Sequence, residues 1–408
     1  MSEAIVLATA DIHIDGGRHG GTNPLTGLKR SWESTYSIWM ELCNHAVELN
    51  ADAVVVPGDL FLNGWPKAES VEMIADGFRI LDAGGVPAIA GDGNHEWIAR
   101  QRGYRSPLEH LQDIVNVKII VESELVTLPS GLQIGFVPWP RRSELLDPDE
   151  MEGLTPIEID GLVAARAAER IEELAEMTDS SRGPIMLAAH ATVGDATVGS
   201  AKRGSEMGLA ELFAEPVLAL ADIDVDPWQH VALGHIHRRQ IMGDRCWYVG
   251  SPDRLDFSDE GIEKAYSVIR IPDNGGIATV EAVATNARRF MTIEVPVDVN
   301  QNNISDLIPD NIEGSVVRIN MAPGSPIALG AEARKAVEHA GGSVALIHAP
   351  PLPRAKQERI IVSEDVNPLE GLEQWAGSQN VEEGQLERLR EKAAMLLENL
   401  NPADTVEA

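Results

Sequence analysis

Five short apolar runs in this 408-residue chain end in residues able to hold a hard metal ion or move a proton. They deliver Asp11 and His13, Asp59, Asn94 with His95, His190, and His235 with His237. Carboxylate, amide-oxygen and imidazole donors suit divalent ions such as Mn²⁺, Fe²⁺ or Mg²⁺, and no thiolate competes for softer metals. Taken singly, each piece has a plain structural explanation. Asp-x-His is a common surface pairing, Gly58-Asp59 reads as an ordinary turn, and a lone His190 as a satisfied core histidine. Gly-His-x-His is more telling, because alternate residues of an extended segment share a face and both imidazoles can reach one site. Together, in this order and at the ends of apolar runs, the pieces point to one constellation. Seven donors suit a pair of ions, with Asp59 the natural bridging carboxylate.

The elements that must position these residues are legible. Residues 4–10 and 53–56 are apolar runs, and 86–90 lead into Gly91-Asp92-Gly93-Asn94-His95-Glu96. Between them, 33–49 and 67–83 carry apolar side chains at helical spacing. Solidly apolar strands alternating with helices indicate a buried, mainly parallel α/β sheet. In such sheets ligands gather at the carboxyl ends of strands. Further strands are expected within 117–138, at 184–189, 230–233 and around 247–249, and a long Ala/Glu-rich helix at 157–177. An Asn-Gly turn at 274–275 predicts a hairpin. From about 286 the texture changes to a small αβ module with strands near 290, at 315–320 and 343–348, and a helix near 330–340.

Composition narrows the class. Hydrophobic residues make up 44% and charged residues 24%, enough to build a large core. No run approaches the ~18–20 apolar residues of a membrane span. The opening Met-Ser-Glu is not expected to act as a signal peptide, and two cysteines, Cys43 and Cys246, exclude a disulfide scaffold or a thiolate zinc cluster. A soluble, cytoplasmic protein is the expectation. Lys and Arg total 33 against 64 Asp and Glu, a net charge of −31, which by itself argues against a polyanionic partner.

The order Asp-x-His, Gly-Asp, Gly-Asn-His-Glu, His, Gly-His-x-His resembles the calcineurin-like metallophosphoesterases over about residues 4–272. Tyr248-Val249-Gly250-Ser251-Pro252, then Arg254, Asp256-Phe257 and Lys264-Ala265-Tyr266, is similar to the bacterial SbcD branch of DNA repair nucleases, extending the likeness to roughly 365. The resemblance implies a four-layer α/β metallophosphoesterase sandwich (1–285), a small αβ capping domain (286–363) and a C-terminal helical partner-binding tail (364–408). It implies one ion, Mn²⁺ by family expectation, on Asp11, His13, Asp59 and His237, and a second on Asp59, Asn94, His190 and His235. His95 would then assist at the scissile phosphate, with Glu96 orienting it. The bracketing of Asp92 by glycines is a departure expected to alter local electrostatics.

The implied activity is two-metal exonucleolytic and endonucleolytic hydrolysis of DNA in double-strand-break processing, with an SbcC-type coiled-coil ATPase as partner and a homodimer as the assembly. A phosphodiesterase or phosphatase acting on nucleotides or phosphoproteins, and a noncatalytic adaptor, are the rivals. The few cations matter more than the total charge. Arg18, Lys29 and Arg30 follow the first motif, Arg100, Arg102 and Arg105 the third, and Arg141-Arg142, Lys202-Arg203 and Arg238-Arg239 the later strands. If the strands are parallel, these cations rim the metal face, and Arg18, Arg100, Arg102 and Arg238 are the candidate phosphate contacts. In the tail, Leu386, Leu389, Ala393, Leu396, Leu397 and Leu400 form one helical stripe fit to dock a partner.

Overall fold

A computed structural model describes residues 3–17, 19–96, 106–194, 196, 215–299, 303–351, 367–378, 381 and 383–400. The chain begins with β1 (Ala4–Ala8), α1 (Arg30–Glu48), β2 (Ala53–Val56), α2 (Ala68–Ala83), β3 (Ala88–Gly91), α3 (Pro107–Leu111) and β4 (Lys118–Ile120). Strands β1 to β4 lie side by side and parallel. Then come β5 (Glu124–Thr127), β6 (Gln133–Val137), α4 (Arg142–Leu145), α5 (Pro156–Glu176), β7 (Ile185–His190), and the short β8 (Thr192–Val193) and β9 (Val217–Leu218). After them follow β10 (His230–Gly234), β11 (Gln240–Ile241), β12 (Cys246–Tyr248), β13 (Ala265–Ile271) and β14 (Thr279–Ala284).

Two six-stranded sheets result, ordered β14-β13-β1-β2-β3-β4 and β11-β12-β10-β7-β6-β5. The inner strands of each are parallel, while β13 and β14 edge the first sheet and β5 and β11 the second in antiparallel pairing. Alternation along the strands builds the layers. Leu7, Val54 and Val56 face Trp39, Leu42, Ile74 and Phe78 of α1 and α2. Val6, Ala8, Val55 and Ile89 face the other way, onto Phe136, Met186, Ala188 and Ala232 of the second sheet. That sheet's far side, Leu187, Ala189, Val231 and Leu233, packs on Ala167, Ile171 and Leu174 of α5. Burial on both faces is why these strands read as unbroken apolar runs. The result is the expected helix–sheet–sheet–helix sandwich.

Helix α5 starts on a capping box, with Thr155 accepting from the Glu158 N–H and Pro156 in the first turn. Beyond the sandwich, β15 (Phe290–Val295), β16 (Val316–Met321) and β17 (Ser343–His348) form an all-parallel sheet with α6 (Ile327–His339). Ile293, Val317, Ile319, Leu329, Ala333 and Val337 give it a core of its own. Arg288 holds its root, donating to Asp253 Oδ2 at 3.2 Å, and Thr292 Oγ1 donates to Glu260 at 2.5 Å.

Residues 351–408 form a separate unit. Within it, α7 (Pro368–Ser378) and α8 (Glu383–Leu400) pair through Arg390 and Glu373 at 2.9 Å. Leu386, Leu389 and Ala393 are half-buried while Leu396 is exposed, and the side chains of Leu397 and Leu400 lie outside the described residues. Among the described residues, no helix is long and apolar enough to cross a membrane.

Candidate metal centre

The last residue of β7 and the loops after β1, β2, β3 and β10 bring all seven anticipated donors to the carboxyl edge of the two sheets. Asp11, His13, Asp59, His190 and His235 are buried. Ligand atoms of Asp11, His13 and His237 lie within 4.8 Å of one another, as do those of Asp11, Asp59 and His190, and of His13, Asp59 and His95. Asp59 Oδ2 sits between two imidazoles, 3.6 Å from His13 Nε2 and 3.5 Å from His190 Nε2. His13 Nε2 also faces His237 Nε2 at 3.2 Å. Asn94 Oδ1 lies 2.9 Å from His190 Nε2 and 3.1 Å from His235 Nδ1.

Backbone carbonyls choose the tautomers. A carbonyl only accepts, so His13 Nδ1–H donates to Phe61 O at 3.1 Å and His190 Nδ1–H to Pro57 O at 2.8 Å. Each neutral ring is left with a bare Nε2 lone pair pointing into the cluster. Burial, reinforced by neighbouring imidazoles, holds the pKa values of both rings well below the usual histidine range, so the rings stay neutral. Burial and the nearby Asp11 charge push the Asp59 carboxyl well up. Two lone-pair nitrogens, an amide oxygen and a carboxylate converging here suit hard divalent cations, which would satisfy all of them at once. The donor set fits a two-ion centre.

The backbone is bent to make this arrangement. Asp11, His13, Asp59 and His235 all adopt positive φ, at 52°, 41°, 57° and 95°. Among the described residues, Asn50 is the other non-glycine residue with positive φ. Such conformations cost on the order of 1–3 kcal/mol each and persist at functional sites because the surroundings enforce them. Close approach explains two motif glycines. A Cβ on Gly58, itself at φ 91°, would lie 2.2 Å from His190 Nδ1, and one on Gly93 would lie 2.0 Å from Asp59 Oδ1.

His95 is fixed twice: its N–H donates to Asp59 Oδ1 at 3.0 Å and its Nδ1–H to Leu62 O at 2.8 Å. Its Nε2 is 4.0 Å from Asp59 Oδ2, at the rim of the cluster. Glu96 does not orient this ring as the sequence suggested. Its buried carboxylate instead accepts from the N–H groups of Asp59 at 3.2 Å, Phe61 at 2.8 Å and Gly93 at 2.9 Å. It ties the β2 and β3 loops together. Burial, then the charges of Asp59 and Asp92, push its pKa well up.

Two of the cations expected at the rim, Arg141 and Arg142, are committed to carboxylates. Arg141 is buried, ion-paired with Asp92 and donating to Glu144 at 3.1 Å. Arg142 pairs with Asp160 at 2.5 Å. Asp92, which also accepts from Ser106 Oγ at 2.6 Å, is thereby a structural anchor whose charge is matched. Arg238 is exposed, and Arg239 stacks on Trp247 with its guanidinium 4.8 Å from the ring centre. Arg18, Arg100, Arg102, Arg105, Lys202 and Arg203 lie outside the described residues. Sequence reasoning missed Trp139, whose ring lies 4.9 Å from that of His235 and 5.8 Å from that of His190. Its place just past β6, on the same sheet edge as the histidines, was the available signal.

Comparisons with known proteins agree with this architecture. The family model for calcineurin-like phosphoesterase matches residues 5–239. The chain is 24% identical over 285 residues to the SbcD component of the nuclease SbcCD from Escherichia coli K12, covering 68% of this chain and 67% of that one. It is 22% identical over 282 residues to the corresponding SbcCD component from Staphylococcus epidermidis, covering 66% of each. It is also 30% identical over 115 residues to the DNA double-strand break repair protein Mre11 of Methanopyrus kandleri, covering 28% of this chain and 24% of that one. The family match spans more than half of the chain and includes every donor described above, so the protein belongs to the calcineurin-like phosphoesterases, a family of metal-dependent phosphoester hydrolases.

Proposed function

We propose that this protein is a two-metal DNA nuclease, the nuclease component of an SbcCD-like complex that processes double-strand breaks. The observation that carries the reading is the convergence of seven donors, Asp59 among them, in a chain similar over 285 residues to the nuclease component of SbcCD. Asp11, His13, Asp59 and His237 would hold one ion, and Asp59, Asn94, His190 and His235 the other; Mn²⁺ is the metal we expect. When bound, such a pair activates water and neutralises charge on a phosphodiester. His95 is the proton or hydrogen-bond donor to the phosphate oxygens. Its Nδ1–H is committed to Leu62 O, so Nε2 is the nitrogen left to face the phosphate, and it donates there only when the ring carries both protons. Glu96 holds the loops of Asp59 and Gly93 in place for it.

The module after 286 is then a capping domain, and α8, with Met395 and Leu396 about 60% exposed, is the docking helix for a coiled-coil ATPase. A homodimer in the cytoplasm completes the reading, with Arg238, Arg18, Arg100 and Arg102 contacting DNA phosphates. The net charge of −31 and the commitment of Arg141 and Arg142 to internal carboxylates favour a second reading, hydrolysis of small nucleotide phosphodiesters. Labelled linear duplex and hairpin DNA with Mn²⁺, beside a His95→Ala control, decides between them. Cleavage lost in the control supports the nuclease. Turnover of a small phosphodiester without DNA cleavage supports the second reading.

A further inference from the structure

His235 has carboxylate chemistry on the side facing away from the cluster. Its Nε2 lies 3.6 Å from Glu215 Oε2, while its Nδ1 faces Asn94 Oδ1 at 3.1 Å. The Glu215 carboxylate is itself held, accepting from Thr192 Oγ1 at 3.1 Å through its other oxygen. His235 differs here from His13 and His190, whose inactive nitrogens are capped by backbone carbonyls of Phe61 and Pro57. No such carbonyl caps His235 among the described residues, and its ring could put its proton on either nitrogen. A proton on Nδ1 would donate to Asn94 Oδ1 and block both atoms from an ion. A carboxylate beside Nε2 favours the opposite tautomer, because it attracts an N–H and repels a lone pair.

We propose that Glu215 is a positioning residue that holds the His235 proton on Nε2 and so presents Nδ1, with Asn94 Oδ1, as metal donors. The proposal rests on the reading of His235 as a donor in the Proposed function. It assigns Glu215 the role that carboxylates play behind metal-bound histidines, where their loss costs ~10–100-fold in affinity.

The test uses the whole 408-residue chain with ¹⁵N-labelled histidine, His235 being assigned by its absence in His235→Gln. In the metal-free protein, long-range ¹H–¹⁵N correlation should show the His235 proton on Nε2. In Glu215→Ala it should move toward Nδ1, and calorimetric titration with Mn²⁺ should show one of two sites weakened about 10–100-fold. Glu215→Gln, whose amide oxygen can still face Nε2, should keep the tautomer and most of the affinity. Thr192→Val should show a smaller shift of the same kind and serves if Glu215→Ala does not fold. An Nδ1–H His235 in the wild type overturns the proposal. So does Mn²⁺ affinity unchanged in Glu215→Ala while the wild type binds two ions. A wild type that binds no ion overturns the metal reading, and the tautomer measurement still judges Glu215 by itself.

Discussion

His190 Nε2 lies 3.5 Å from Asp59 Oδ2, with the opposite nitrogen of the ring tied to the Pro57 carbonyl only two residues before Asp59. One short segment, Pro57 to Asp59, therefore fixes both the tautomer of a histidine from the second sheet and the carboxylate it faces. His13 repeats the device through Phe61, two residues beyond Asp59. The β2 loop is the jig on which the rest of the centre is assembled.

Because Asp59 faces donors of both expected ions, its replacement should cost both. Asp59→Ala is expected to take up neither Mn²⁺, whereas His237→Ala should still bind one. Activity on any phosphoester should fall in Asp59→Ala by more than the ~10–100-fold typical of losing a group behind a ligand. Metal content by mass spectrometry, measured beside activity, checks this. One ion retained in Asp59→Ala would remove the bridging role.

Gly93→Ala should be disproportionately harmful for one added methyl group. Its Cβ would fall 2.0 Å from Asp59 Oδ1. Overpacking at such a position costs about 1–3 kcal/mol. The expected signature is weakened Mn²⁺ binding together with a lowered melting temperature, whereas Gly153→Ala, where a Cβ meets nothing within 4 Å, should leave Mn²⁺ binding unchanged.

The Asp92–Arg141 pair is buried, so removing one partner leaves an unmatched charge. Arg141→Met should destabilise the fold by about 3–5 kcal/mol, and adding Asp92→Asn should recover a large part of that loss. Urea unfolding of the single and double variants measures the difference. Additive losses would show that the two residues do not act as a pair.

Burial lowers the pKa of His230 from 6.5 to about 3. The unfolded chain binds this proton more readily than the folded one, so stability is fully present above about pH 6.5. It falls as the pH drops toward 3, by up to ~1.4 kcal/mol per unit from this residue. Between pH 7 and pH 5 that amounts to roughly 2 kcal/mol. His13 and His190 shift in the same direction and add to the slope. Urea midpoints at the two pH values, for wild type and His230→Gln, should show a smaller pH effect in the variant.

The sandwich was legible because its central strands bury both faces, leaving runs such as Ala53-Val54-Val55-Val56 with no polar interruption. The candidate donors could be picked out because each stands where such a run stops. Edge strands were harder. Glu124–Thr127 and Gln240–Ile241 are short and half-exposed, so neither leaves an apolar run to read. Helix α7 was missed because its eleven residues include two glycines and a Ser in place of a continuous apolar stripe. Spacing alone also could not reveal Glu96 as a loop tie or Arg141 as an internal cation. Both depend on which buried group stands opposite in space, Phe61 and Gly93 for one and Asp92 for the other.

The central claim is that seven side chains hold two ions joined at Asp59. Anomalous diffraction at the manganese edge, on crystals grown with Mn²⁺, tests it directly. The account predicts two peaks, one contacted by Asp11, His13 and His237, the other by Asn94, His190 and His235, with Asp59 touching both. A single peak, or ions bound away from Asp59, would contradict it.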